Sequence, residues 1–397
     1  MGLIAAAARS WHGSNERSVM RKTVALGLVF LLLPAVGNAQ TISNVSGTVA
    51  NGDTVSLSGA GFGAKAVAAP WAWDDFESST TLLSLTSSPG DVPPSLSREH
   101  VYQGLQALKT QLGYADGSSE TLGRNGYAVY NFPRALLNGE KGYIRFWERW
   151  SWGVNFCYPD NDGAISDYQI KNWRISSGGQ ALDPPNIGQN VQSDCNYCCG
   201  DEFEPRQWTY RKDGGGTYEA MDYFGPEFLP QRFALPNDTW MLWEIQFQQS
   251  TTTAGSYDVW LSRDGKSARV AAYRGLTHLA ADPGFTRILL GNWIDSIGGS
   301  ATLYFDDFYA DGSWARVVLG DAATFSACSV REIQIPRSWT DSAITLTINQ
   351  GRFRAGQTAY LYVQNENGQH PETGFPVVIG GGAPTEAPGQ PGQPVRQ

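Results

Sequence analysis

Between residues 141 and 311 the chain alternates apolar and polar positions in short runs broken by turn residues. KGYIRFWERWSW, YQIKNWRIS, RQWTYRK, WMLWEIQFQQS, SYDVWLSRDGK, ARVAAYRG, RILLGNW and ATLYFDDFYAD are each strand-sized, and none carries a helical period. Period two assigns faces. In WMLWEIQFQQS, Met241, Trp243, Ile245 and Phe247 form a core face, with Glu244, Gln246 and Gln248 opposite. In SYDVWLSR, Tyr257, Val259 and Leu261 go inward and leave Asp258 and Trp260 outward. In GYIRFWERW, Ile144 and Phe146 read as core, with Tyr143, Arg145, Trp147 and Arg149 together on the other side. Gln169, Lys171 and Trp173 share a face of their strand, as do Arg206, Trp208 and Tyr210 of theirs.

The flanks read differently. TISNVSGTVANGDTVSLSGAGFGAK, residues 41–65, holds two short β runs around an Asn-Gly turn. Beyond residue 326, REIQI, AITLTI, TAYLYVQN and FPVVIG are four more strand candidates. Neither group closes a sandwich alone, because burying two sheet faces takes about seven short strands. The expected organisation is therefore one sandwich in two halves, 41–66 and 326–380, with a central domain, 70–320, inserted at a loop whose ends lie close together. The alternative joins the first strand pair to the central domain and leaves an independent C-terminal sandwich. Residues 381–397 are rich in Pro, Gly and Gln and are expected to be disordered.

Composition narrows the class. Charged residues make up 17% of the 397, against roughly 25% in ordinary soluble domains, while 14 Trp and 45 Gly suit a turn-rich all-β protein. A net charge of −9 leaves no basic footprint for nucleic acid. Residues 20–39, MRKTVALGLVFLLLPAVGNA, give a basic start at Met20, an apolar run and a small-x-small site, so residues 1–39 read as a signal peptide. The expected product is secreted, periplasmic or held at the cell surface, with no membrane span after cleavage; a retained N-terminal anchor is the other reading. In that oxidising setting Cys157, Cys195, Cys198 and Cys199 favour disulfides, leaving Cys328 over. No His lies near CNYCC to complete a zinc site.

Two resemblances follow. ISNVSGTVANGDTVSLSGAGFG and IQIPRSWTDSAITLTINQGRFRAGQTAYLYVQNENG resemble the two halves of an IPT/TIG domain, an immunoglobulin-like sandwich. WDDFES, LWEIQFQQS…GSYDVWLSRDGK and LLGNW…LYFDDFYAD resemble the concanavalin A-like lectin/glucanase superfamily, which includes laminin-G-like modules and jelly-roll polysaccharide lyases. Together they imply a two-sheet jelly roll inserted in, or flanked by, an immunoglobulin-like β-sandwich.

A face of Trp, Arg, Gln and Glu suits sugars, because flat rings stack on pyranose C–H faces while amides, carboxylates and guanidinium groups bond the hydroxyls. Arg145, Trp147, Arg149, Lys171, Trp173, Trp208, Glu244, Gln246 and Trp260 are the candidate contacts for an extracellular polysaccharide, bound without catalysis. The other reading of that face is an outer sheet with Trp at domain contacts. A polysaccharide lyase would use Lys171, Gln169, Arg149 and Tyr210, although Lys171 stands where lyases of the resembled group carry His. The Glu-x-Asp-x-x-Glu pattern of hydrolases is absent. A third class is a structural adhesin or envelope component. No cofactor is expected beyond a structural Ca²⁺ held by Asp75, Glu77, Asp306 and Asp307.

Overall fold

The computed structural model describes residues 40–87, 92–113, 126–152, 169–177, 186–192, 204–212, 218–224, 238–277, 283–295 and 300–381. The signal segment, the four clustered-cysteine candidates and residues 382–397 lie outside them.

Strands β1 (Thr41–Ser46) and β2 (Thr54–Ala60) form a hairpin, with Gly52 at φ 80° in its Asn-Gly turn. Next come β3 (Ala72–Asp74), β4 (Ser84–Ser87), β5 (Ser95–Ser97), β6 (Ala107–Gly113), β7 (Gly126–Asn131) and β8 (Lys141–Trp152). They are followed by β9 (Gln169–Ser176), β10 (Asn186–Gln192), β11 (Glu204–Lys212) and β12 (Tyr218–Phe224). Then run β13 (Trp240–Gln248), β14 (Ser256–Arg263), β15 (Lys266–Arg274), β16 (Arg287–Asp295) and β17 (Ser300–Asp311). The last five are β18 (Arg316–Gly320), β19 (Arg331–Trp339), β20 (Ala343–Thr347), β21 (Thr358–Gln364) and β22 (Phe375–Val378). The protein is all-β.

Two sheets make the central sandwich. One runs β15-β14-β13-β8-β17-β6-β5 with β3 on β17, and the other β12-β11-β10-β9-β16-β7-β4. Alternation sets the core between them. Ile144, Phe146 and Trp150 of β8, the four apolar positions of β13, and Tyr257, Val259 and Leu261 of β14 meet Trp173, Ile175, Ile288 and Leu290. Fully burying one such side chain contributes roughly 1.5–3 kcal/mol. The β14–β15 hairpin turns through Asp264 and Gly265, both at positive φ (49° and 72°), as a two-residue turn matching strand twist requires.

The third sheet has the order β1-β2-β20-β19-β18-β21-β22. Leu57 of β2 lies opposite Ile344 of β20, so the two ends of the chain share one ladder. Val55 and Leu57 sit in the same core cluster as Val317, Leu361 and Val377, so this sheet closes over a core of its own. Arg316–Gly320, placed in the central domain by its sequence, pairs with β19 and β21 instead. The chain therefore changes sheets just after Asp311, earlier than residue 320.

β18 is buried along its whole length. Val317 and Leu319 enter the core of the third sheet, while Val318 joins Ile333, Ile335, Tyr143 and Tyr309 in a separate apolar cluster. Tyr143 and Tyr309 belong to β8 and β17, so this cluster is the seam that joins the third sheet to the central sandwich.

Candidate functional site

The face of β8, β13 and β14 that sequence alternation offers to sugars is this seam, and burial corrects several candidates. Arg145 is 2% exposed, donates to the Arg331 carbonyl and faces Glu332 at 3.7 Å. Glu244 accepts from the Tyr143 hydroxyl at 2.7 Å and meets Arg331 at 3.4 Å and Arg316 at 3.7 Å. Burial disfavours the charge of Glu244, yet Arg331, Arg316, Arg145 and Tyr143 outweigh it and hold the carboxyl down at about 2. These charges looked solvated because their partners come from strands β18 and β19, far away in sequence. They hold two modules together, and Arg145 is closed to an external polymer.

Trp147 is buried beneath Tyr102, the rings stacked at 3.8 Å, and Arg352 lies 5.2 Å above the Tyr102 ring. Its face is occupied, although both rings line a cleft of about 360 Å³ with Asp238, Trp240, Arg263 and Arg331. Arg149 is committed to Asp238, at 3.1 Å to the carboxylate. Gln246 is buried, and half-buried Trp260 lies with Gln246 and Glu244 around a smaller cleft of about 120 Å³.

Trp173 is corrected for a different reason. It is fully buried in the core, edge-on to Trp243 at 6.2 Å. On β9 the register skips Asn172: Trp173 pairs with Gln189, but Lys171 pairs with Asn190. This bulge breaks the period of two and puts Lys171 and Trp173 out of phase.

The remaining candidates come together on the other central sheet. Read across β16, β9, β10 and β11, the backbone register forms rows: Trp293, Lys171, Asn190 and Arg206; then Asp295, Gln169, Gln192 and Glu204. Beyond Asn172 the rows continue as Leu289, Arg174, Gly188 and Trp208, then Arg287, Ser176, Asn186 and Tyr210. All four rows alternate with those of Trp173 and Ile175, which enter the core. In the third row Arg174 and Leu289 are buried. The first two rows hold one Trp, one Lys, one Arg, three amides and two carboxylates, spread over roughly 14 Å at the usual strand spacing. Trp293 and Asn190 were not among the sequence candidates; the run RILLGNW held the signal, masked by a second register shift between Leu290 and Trp293.

The lyase candidates divide between the two central sheets. Arg149 belongs to the opposite sheet. Tyr210 stands four residues along β11 from Arg206, the row-mate of Lys171, which is roughly 13 Å at the normal strand rise.

The acidic doublets work as caps. Asp75 accepts from the Glu77 amide at 3.2 Å, Glu77 from the amides of Leu105 (2.8 Å) and Gln106 (3.2 Å), and Asp306 from those of Tyr102 (2.9 Å), Gln103 (3.2 Å) and Asp307 (2.9 Å). Asp307 takes the Gln103 side-chain amide. Burial pushes Asp306 up to about 8; burial and Asp306 together push Asp307 well above the usual range. Among the described residues no three His, Cys, Asp or Glu gather as a metal set. Cys328 is free, and no described helix is long and apolar enough to cross a membrane.

No protein-family model matches the chain, and no curated protein does. Among solved structures it is similar to the endo-β-1,4-glucuronan lyase of the fungus Trichoderma reesei: TM-score 0.40, 12% identity, covering 63% of this chain and 97% of that one. An alginate lyase of family PL-14 from Aplysia kurodai gives 0.35 and 11%, covering 55% and 86%. The lectin UEA-II complexed with galactose gives 0.30 and 6%, covering 62% and 97%.

Proposed function

We propose that this chain is an exported glycan-binding protein that recognises extracellular or cell-surface polysaccharide without cleaving it. The observation that carries this reading is the register of β16, β9, β10 and β11, which lines up Trp293, Lys171, Asn190 and Arg206 beside Asp295, Gln169, Gln192 and Glu204, in alternation with the core rows. Trp supplies a stacking surface, the amides bond hydroxyls, and Lys171 and Arg206 favour uronate carboxylates over neutral sugars. The separation of Tyr210 from Lys171, and the commitment of Arg149 to Asp238, favour binding over elimination. Residues 20–39 support export. The third sheet, an IPT/TIG-like sandwich split around the central module, serves as the mount.

The test is native electrophoresis of residues 40–397 through gels cast with neutral and acidic polysaccharides, with ultraviolet absorbance followed for unsaturated products. Retardation in one gel, weakened in Trp293→Ala and Lys171→Ala, is expected. Unchanged mobility in every gel refutes glycan recognition. Retardation with rising absorbance replaces the binding protein by a lyase.

A further inference from the structure

The seam also holds a small polar recess bordered by its ion pairs and apart from the β9 rows. It is the 120 Å³ cleft, where Gln246 and Trp260 of the central sandwich face Arg316, Gln364 and His370 of the third sheet. Volume on this scale takes several waters, or one edge of a sugar ring.

Three of these lining side chains, each at least nine-tenths buried, carry a polar atom with no protein partner among the described residues. They are the Gln246 Nε2 and Arg316 Nε donors and the Gln364 Oε1 acceptor. Buried polar groups are ordinarily satisfied, and leaving one unmade costs about 1–3 kcal/mol. Three around one recess point to a ligand that supplies two acceptors and a donor.

Charge narrows the class. Arg316 and Arg331 both border the recess and share one carboxylate, Glu244, leaving an excess of one positive charge. His370 does not add to it, since burial lowers its basicity. The Arg316 guanidinium is fixed by lying 4.0 Å above the Tyr143 ring, with Nη1 donating to the Trp314 carbonyl at 3.0 Å. Gln364 is fixed by its Nε2, which donates to the Gly368 carbonyl at 2.9 Å and leaves Oε1 free to accept. Half-buried Trp260 supplies an apolar wall.

We propose that this recess seats the carboxylate edge of a uronate residue, a site separate from the β9 rows; the proposal rests on the glycan reading. The carboxylate accepts from Arg316 Nε and Gln246 Nε2. A ring hydroxyl donates to Gln364 Oε1, and the sugar's C–H face lies against Trp260. Both modules contribute, so the seat exists only when the seam is closed.

Calorimetric titration of the full exported chain tests this with trimers of glucuronate, galacturonate and mannuronate, their methyl esters, and a neutral glucan trimer. Gln246→Glu keeps the side chain's shape and sets a negative charge in the recess; Trp260→Ala, at a half-buried position, is the second variant should the first fail to fold. At least one acidic trimer should bind, and esterification and either variant should each weaken it about tenfold or more. Acid trimers that bind no better than their esters overturn the proposal, as does an acid preference that survives both variants. If Lys171→Ala alone abolishes that preference, the carboxylate seat belongs to the β9 rows and this one falls. Binding of the neutral glucan without acid preference sinks the uronate seat and leaves glycan recognition standing; no binding of any glycan sinks both.

Discussion

Glu148 offers a measurable consequence of the packing. It lies in phase with Ile144, Phe146 and Trp150 on β8, so its carboxyl enters the core, where Oε2 accepts from Asn172 Nδ2 at 2.8 Å and from Trp243 Nε1 at 2.7 Å. Burial raises its pKa from 4.5 to about 7, against hydrogen bonds from Trp150, Asn172 and Trp243 that pull it down. At roughly 1.4 kcal/mol per pKa unit the difference is worth about 3 kcal/mol. Between pH 4.5 and pH 7 the folded chain holds this proton more tightly than the unfolded chain. The stability it confers is therefore complete below pH 4.5 and is lost as pH rises to 7. Glu148→Gln keeps the shape and cannot titrate. Urea unfolding followed by tryptophan fluorescence, at pH 4.5 and at about pH 8, should show the wild type losing about 3 kcal/mol more than the variant over this interval. Other buried acids, such as Asp306, titrate in both proteins and cancel in the difference. Parallel pH profiles would refute the burial of a titrating Glu148.

Three further outcomes are expected. Lys65→Met should cost about 3–5 kcal/mol, because it strands Asp311, its partner at 2.5 Å in a fully buried pair, and adding Asp311→Asn should restore most of the loss in the same urea assay. Gly142→Ala sets a Cβ 2.2 Å from the Phe247 ring and should destabilise by roughly 1–3 kcal/mol; an unchanged melting temperature would show that the ring moves freely. Chelation of calcium should leave the melting temperature unchanged, since Asp75, Glu77 and Asp306 already accept backbone amides, and a fall of several degrees would reveal a bound cation.

Alternation made the strands legible, and with them the core face of β13: Met241, Trp243, Ile245 and Phe247 sit where period two places them. Glu148 shares the phase of Ile144 and Phe146, yet a carboxylate in an apolar row carries no sign of burial in the sequence, and its place in the core came from the structure. Period two assigns two faces and says nothing of what covers the second. Arg145 and Glu244 resembled solvated groups because Glu332, Arg331 and Arg316 reach them only through tertiary packing, and no local spacing encodes that meeting.

A clue nevertheless lay in the third sheet. RVVLG is buried on both faces and carries Arg316 on the one that does not face its own core, as REIQI carries Arg331 and Glu332 at its start. Charges on doubly buried strands must find opposite charges on a neighbouring layer, or the cost of desolvation stands uncompensated. Arg316 and Arg331 meet Glu244 of β13 only because the fold brings β18 and β19 against it. The proposed sugar face, by contrast, lies on the β9 sheet. There one skipped residue, Asn172, separates the phase of Lys171 from that of Trp173, so a count by twos merges two faces that the bulge keeps apart.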